Sequence, residues 1–203
     1  MINPLTIFFL QVASLVPSLW AQAAEENSRP HQLLVQTEVS RQEEFPLKVK
    51  GTLLIEAQPE VVWNILTDYE HLEGVFPGLV RSQIIRKEAN EVVVEQEYHG
   101  LLFFSKNMIF RNKETRIQRI DFRREGGKSK VAGNWSLEPA AGGSTLLKIE
   151  VRVRPRRFLF WLIEDMLRRQ VPSGLITIRE KSLNKVNKDS TEDPEIIYLE
   201  EER

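Results

Sequence analysis

From Leu79 to Arg154 apolar and polar residues alternate with a period of two, and on either side of that stretch the period lengthens to three or four. Strands in series framed by helices are the expectation. The last strand shows the alternation most clearly. Leu147, Ile149, Val151 and Val153 fall on one face, and Lys148, Glu150, Arg152 and Arg154 on the other. One face of the sheet is therefore buried and the other wet. In the preceding strand Val131, Gly133, Trp135 and Leu137 share a face, and Gly133 leaves space near the large ring.

Six strands are predicted in this region, at 80–87, 91–99, 101–110 and 115–124, then in SKVAGNWSLEPA and STLLKIEVRVRP. Their short polar connections make an antiparallel meander. LKVKGTLLIEA, residues 47–57, adds a first strand, and Pro59 suits the first turn of a helix carrying Val61, Val62, Ile65 and Leu66 as its stripe. In LTDYEHLEGVFPGLVRS, Thr67-Asp68-Tyr69-Glu70 has the form of a capping box and starts a second short helix. Gly74 ends that helix, and Pro77-Gly78 fits a type II turn into the next strand. After Pro155, Leu159, Leu162, Ile163, Met166, Leu167, Leu175, Ile178 and Leu183 mark one long helix to Val186, with a kink expected at Pro172. The pattern is α+β, with about seven antiparallel strands, two short helices after the first strand and a long C-terminal helix.

The ends have a different composition. Residues 1–23 hold an apolar run followed by Ala21-Gln22-Ala23, the form of a cleaved secretory signal peptide, although no Lys or Arg precedes the run. An uncleaved anchor is the competing reading, disfavoured by the short run and by Pro17. Residues 24–45 read as a linker, 46–186 as one domain, and 187–203 as an acidic, disordered tail. The expected location is outside the cytoplasm, periplasmic in a bacterium.

Charge and chemistry narrow the function. A net charge of -1 gives no general footprint for nucleic acid. With no cysteine, disulfides, thiolate nucleophiles and Cys-bound zinc are excluded. His31, His71 and His99 are scattered and form no helical metal pair, and no nucleophile elbow or phosphate loop occurs. Asp68 and Glu70 invite an acid/base reading, but helix capping explains them with fewer assumptions. Catalytic residues, a metal site and a cofactor are not expected.

A long helix laid on one curved sheet does not close tightly and leaves a cavity along the concave face. LTDYEHLEGVFPGLVRS, GLLFF, GKSKVAGNWSLEP and RRQVPSGLITIREKSL resemble the START-like, helix-grip (SRPBCC) superfamily, in its branch of polyketide cyclase/dehydrase and coenzyme Q-binding proteins. The resemblance spans residues 47–186. It implies an apolar cavity between sheet and helix that binds a lipid, an isoprenoid, a quinone or another hydrophobic small molecule. Relatives of this type include carriers, quinone binders and cyclases. An export signal favours envelope lipid handling and disfavours a ribosome-associated interaction module. The alternative is a polyketide cyclase or dehydratase using the same cavity, with Tyr98 as acid/base.

Within that frame the expected wall comprises Val94, Gln96 and Tyr98 on one strand, with Phe110, Phe122, Trp135, Ile149 and Val151 on the others. Ile163, Met166 and Leu167 supply the helix side, and Leu72, Val75, Phe76 and Pro77 one rim. Gln96 and Tyr98 either orient a ligand head group or pair with neighbours at the sheet edge. Trp135 either touches ligand or packs beneath the helix. Arg152, Arg154, Arg156 and Arg157, followed by FLFWLI, raise a transient membrane contact against the simpler reading of a wet strand face and a buried helix start. A monomer or weak dimer is expected.

Overall fold

The computed structural model describes residues 34–38, 44–98, 107–156 and 159–191. β2 (Leu47–Ile55) leads into α1 (Pro59–Thr67) and a single 3-10 turn, Tyr69–His71. A meander follows: β3 (Leu79–Glu88), β4 (Glu91–Tyr98), β5 (Asn107–Thr115), β6 (Arg119–Glu125), β7 (Lys130–Pro139) and β8 (Thr145–Arg154). α2 (Phe160–Thr191) closes the fold. An eighth strand, β1 (Leu34–Glu38), lies in the segment read as linker and pairs antiparallel with β2. The sheet runs β1-β2-β8-β7-β6-β5-β4-β3, all described pairs being antiparallel. The chain thus makes a meander whose last strand, β8, returns to β2, with the long helix across its inner face.

Burial follows the alternation. Leu47, Val49, Leu53 and Ile55 on β2 and Leu147, Ile149, Val151 and Val153 on β8 face the core, where Leu159, Ile163, Leu167, Val171, Leu175 and Ile178 of α2 meet them. The apolar face of α2 repeats at three and four residues, so one stripe covers the sheet. Arg179 on α2 donates Nε and Nη2 to the Glu56 carboxylate at 3.0 and 2.9 Å, pinning the helix to the end of β2. The helix continues through Pro172 and runs to Thr191, five residues beyond the expected end of the domain.

Two local expectations are corrected. The Thr67 hydroxyl donates to the Trp63 carbonyl at 2.9 Å, one turn back, and so does not cap the next turn. Asp68 instead engages His71 Nδ1 at 2.7 Å, and Glu70 is exposed. The capping box is absent because Thr67 is still the last residue of α1. Further on, β5 continues to Thr115, past the turn expected after Phe110, and the reversal falls at residues 116–118 with Ile117 at φ 59°. Asn112 and Glu114 looked like turn residues, yet they continue the inward face of β5. The Phe76-Pro77-Gly78-Leu79 corner forms as expected, with Leu79 N–H donating to the Phe76 carbonyl at 3.1 Å and Gly78 at φ 79°. Residues 99–106, including His99 and the GLLFF motif, and Arg157 and Phe158 lie outside the described residues.

Candidate functional site

The sheet and α2 do not meet everywhere, and between them lies a cavity of about 190 Å³. Each strand from β4 to β8 contributes two inward residues: Gln96 and Tyr98, Phe110 and Asn112, Ile120 and Phe122, Val131 and Trp135, Ile149 and Val151. Leu66 of α1, Tyr69, and the corner residues Leu72, Phe76 and Pro77 close one side. Leu167, Gln170, Val171 and Gly174 on two turns of α2 form the roof. Aromatic rings frame the space: Phe76 lies against Trp135 with centroids 6.1 Å apart, and Phe110 meets Phe122 edge-on at 6.4 Å.

The polar groups on this wall are uncharged. Tyr98 donates its hydroxyl to Gln96 Oε1 at 3.0 Å, so the two hold each other on the face of β4. Burial pushes the Tyr98 phenol above its ordinary value near 10. Tyr69 donates to Glu114 Oε1 at 2.8 Å, which turns that carboxylate toward the 3-10 segment. Burial, and then the Glu114 charge and hydrogen bond, raise the Tyr69 phenol as well. Both tyrosines therefore stay protonated around neutral pH and act as hydrogen-bond donors. Among the described residues no group of three metal-ligating side chains occurs.

Most of the expected wall converges. Gln96, Tyr98, Phe110, Phe122, Trp135, Ile149, Val151 and Leu167 line the cavity, as do the rim residues Leu72, Phe76 and Pro77. Trp135 both faces the cavity and packs on Phe76, so its two readings are not exclusive. Four assignments change. Val94, Ile163 and Val75 are sealed in the core, and Met166 packs half-buried against it rather than on the cavity wall. The reason is position along each element. Val94 lies on the correct face but is covered between Ile84 and Phe110 on the neighbouring strands, and Ile163 lies one turn before Leu167, where the lining on α2 begins.

Tyr69, Asn112 and Gln170 are the polar wall residues the sequence reading missed. Tyr69 sat inside a presumed cap, Asn112 in a presumed turn, and Gln170 among the arginines of a helix surface. For Asn112 the period-two step from Met108 and Phe110 was an available signal. Gly174 was missed because it has no side chain to mark a face.

This architecture is that of a START-like, helix-grip ligand-binding protein. The sequence model for "polyketide cyclase / dehydrase and lipid transport" matches residues 55–175, and the chain belongs to that family. No curated protein sequence matches it. Among solved structures, human STARD10 superposes with a TM-score of 0.62 at 11% identity, covering 84% of this chain and 81% of its own. The Zhui aromatase/cyclase from Streptomyces sp. R1128 gives 0.56 at 15% identity, covering 70% and 94%. The lipid transfer and protein localization domain of human StarD13 gives 0.56 at 14% identity, covering 89% and 98%. At such identities the likeness concerns the fold.

Proposed function

We propose that this protein binds a hydrophobic small molecule, a lipid, isoprenoid or quinone, in the cavity between sheet and α2, and acts as its carrier. The observation that carries this reading is the wall itself, rings and aliphatic side chains with a few uncharged hydrogen-bonding groups. Such a surface gains from removing apolar area from water, about 25 cal/mol for each Å². Gln96, Tyr98 and Asn112 then orient the ligand. The family and the fold of the lipid transfer domain support the same reading. The leader-like residues 1–23 support export, with cargo handled at the cell envelope. Trp161, 71% exposed on the first turn of α2, supports transient contact with a membrane surface.

A cyclase or dehydratase acting in the same cavity is the second reading, favoured by the hydroxyl-bearing Tyr98 and Tyr69 on its wall. The environment argues against it. A phenol whose pKa is raised by burial holds its proton too tightly to serve as a base near neutral pH.

Native mass spectrometry with organic extraction of the purified protein separates the two. A co-purifying apolar molecule, lost in a variant whose cavity is filled, is the expected result. An empty cavity together with turnover of a polyketide substrate would replace the carrier by the enzyme.

A further inference from the structure

Arg124 stands where the cavity wall ends. On β6 it follows Ile120 and Phe122 at two-residue spacing, so all three share the inner face of the sheet. Across one ladder it pairs with Phe110, and across the other the Arg123–Ala132 register sets it beside Val131. Phe110, Phe122 and Val131 all line the cavity, and no side chain in that lining is charged. A single cation therefore terminates an apolar, neutral wall.

That cation lacks a counter-charge among the described residues. Arg124 Nε is buried without a hydrogen-bond partner. The guanidinium lies over the turn after β6, where a Cβ on Gly127 would approach Nη2 to 2.6 Å, so a side chain there would make the group shift. Two other arginines of β5 and β6 are paired. Arg111 bonds to Glu91 and Glu125, and Arg119 to Asp121. Desolvation lowers the Arg124 pKa, as expected of a half-buried cation with no anion beside it. Such a group gains strongly from a charge-assisted hydrogen bond.

We propose that Arg124 anchors the carboxylate of a single-chain or single-ring hydrophobic acid whose apolar part fills the cavity. This rests on the hydrophobic-ligand reading above and names the class of ligand. One cation matches one negative charge. A phosphate monoester, with nearly two, would call for a second cation on the wall, yet Arg123 and Lys130 alternate to the outer face and Lys128 is exposed in the turn. A cavity of about 190 Å³ suits a single chain or ring better than a two-chain lipid, being smaller than the roughly 300–1,000 Å³ of pockets for drug-sized ligands.

The test is calorimetric titration of the full chain with decanoate and with decan-1-ol, which share a tail and differ in head group. The wild type is expected to bind the acid about tenfold or more tightly than the alcohol. Arg124→Gln should abolish that preference while leaving the alcohol's affinity unchanged, and Arg124→Lys should retain part of it. Gly127→Ala, which displaces the guanidinium, should act like Arg124→Gln. If the Gln variant does not fold, the wild-type preference and the Lys and Ala variants decide. Equal binding of acid and alcohol by the wild type, or a preference that survives Arg124→Gln, overturns the anchor and leaves the cavity reading intact. Binding of neither molecule overturns the cavity reading and the anchor with it. Gly174→Leu, which projects a side chain from α2 into the cavity, should abolish both ligands, and binding that persists there places them elsewhere and also overturns the anchor.

Discussion

Phe76 lies against Trp135 with ring planes inclined at 38°, so the corner before β3 is joined to β7 through two rings that both face the cavity. The contact makes the rim part of the binding wall. Replacing Phe76 by Asp removes the ring pair, worth about 0.5–1.5 kcal/mol beyond its buried area. It also sets a carboxylate against an apolar surface. Uptake of an apolar fluorescent probe should fall about tenfold or more, and Trp135 emission should shift to the red, while Phe76→Leu stays near the wild type. Unchanged uptake by a folded Phe76→Asp protein would remove the rim from the site.

Tyr69 and Tyr98 give stability a defined dependence on alkaline pH. Both phenols have folded-state pKa values raised above the unfolded value of 10.0. The folded chain thus holds these protons more tightly, and their contribution is fully present below pH 10 and lost as pH rises above it. The urea midpoint should be flat up to about pH 9.5 and fall beyond about pH 10. Absorbance should show neither phenol ionising before unfolding. The Tyr69→Phe, Tyr98→Phe double variant should flatten the profile, and two phenolates in a folded protein at pH 10 would contradict it.

The sequence shows the strands, the order of elements and most of the wall because one face of each strand is dry and the other wet. The failures share a cause. Where the inner face itself becomes polar, as at Asn112 and Glu114, alternation is masked and a turn is read in its place. Conversely Val94 and Ile163 have the right face, but depth along an element has no periodic signature. Only the structure separates a residue in the sealed core from one on the cavity wall. The inward direction of Arg124 was likewise hidden in a run of charges, since Arg123, Arg124 and Glu125 look alike until the register with Phe110 and Val131 is known.

Gly133 has a role different from the one its neighbour Trp135 suggested. A Cβ there would lie 2.1 Å from the Glu150 carbonyl oxygen and 2.5 Å from Phe122 Cζ. The glycine accommodates Phe122 and the β8 backbone, whereas Trp135 is packed by Phe76. Overpacking typically costs about 1–3 kcal/mol, and a clash with backbone is harder to relax than one with a side chain. Gly133→Ala should therefore lower stability by about 3 kcal/mol or more in urea titrations. A loss under about 1 kcal/mol would show that β7 and β8 can separate without cost.

Trp161 is the sharper test of membrane contact. The arginine run at the end of β8 is partly engaged: Arg152 lies 3.4 Å from a Glu150 oxygen and 5.6 Å over the Phe45 ring. Near Trp161 on α2, Glu164 pairs with Arg168 and Asp165 with Arg169, so these charges cancel in pairs beside the indole. An exposed indole prefers the interfacial region of a bilayer, where its ring is desolvated and its N–H stays bonded. Binding to vesicles should then depend on Trp161 and only weakly on salt. Co-sedimentation with phosphatidylcholine vesicles should drop several-fold in Trp161→Ser, and wild-type emission should shift to the blue on binding. Trp63 and Trp135 are buried and report little of this change. Equal sedimentation of the Ser variant would discard Trp161 as the contact, and binding abolished by moderate salt would return the role to the arginines.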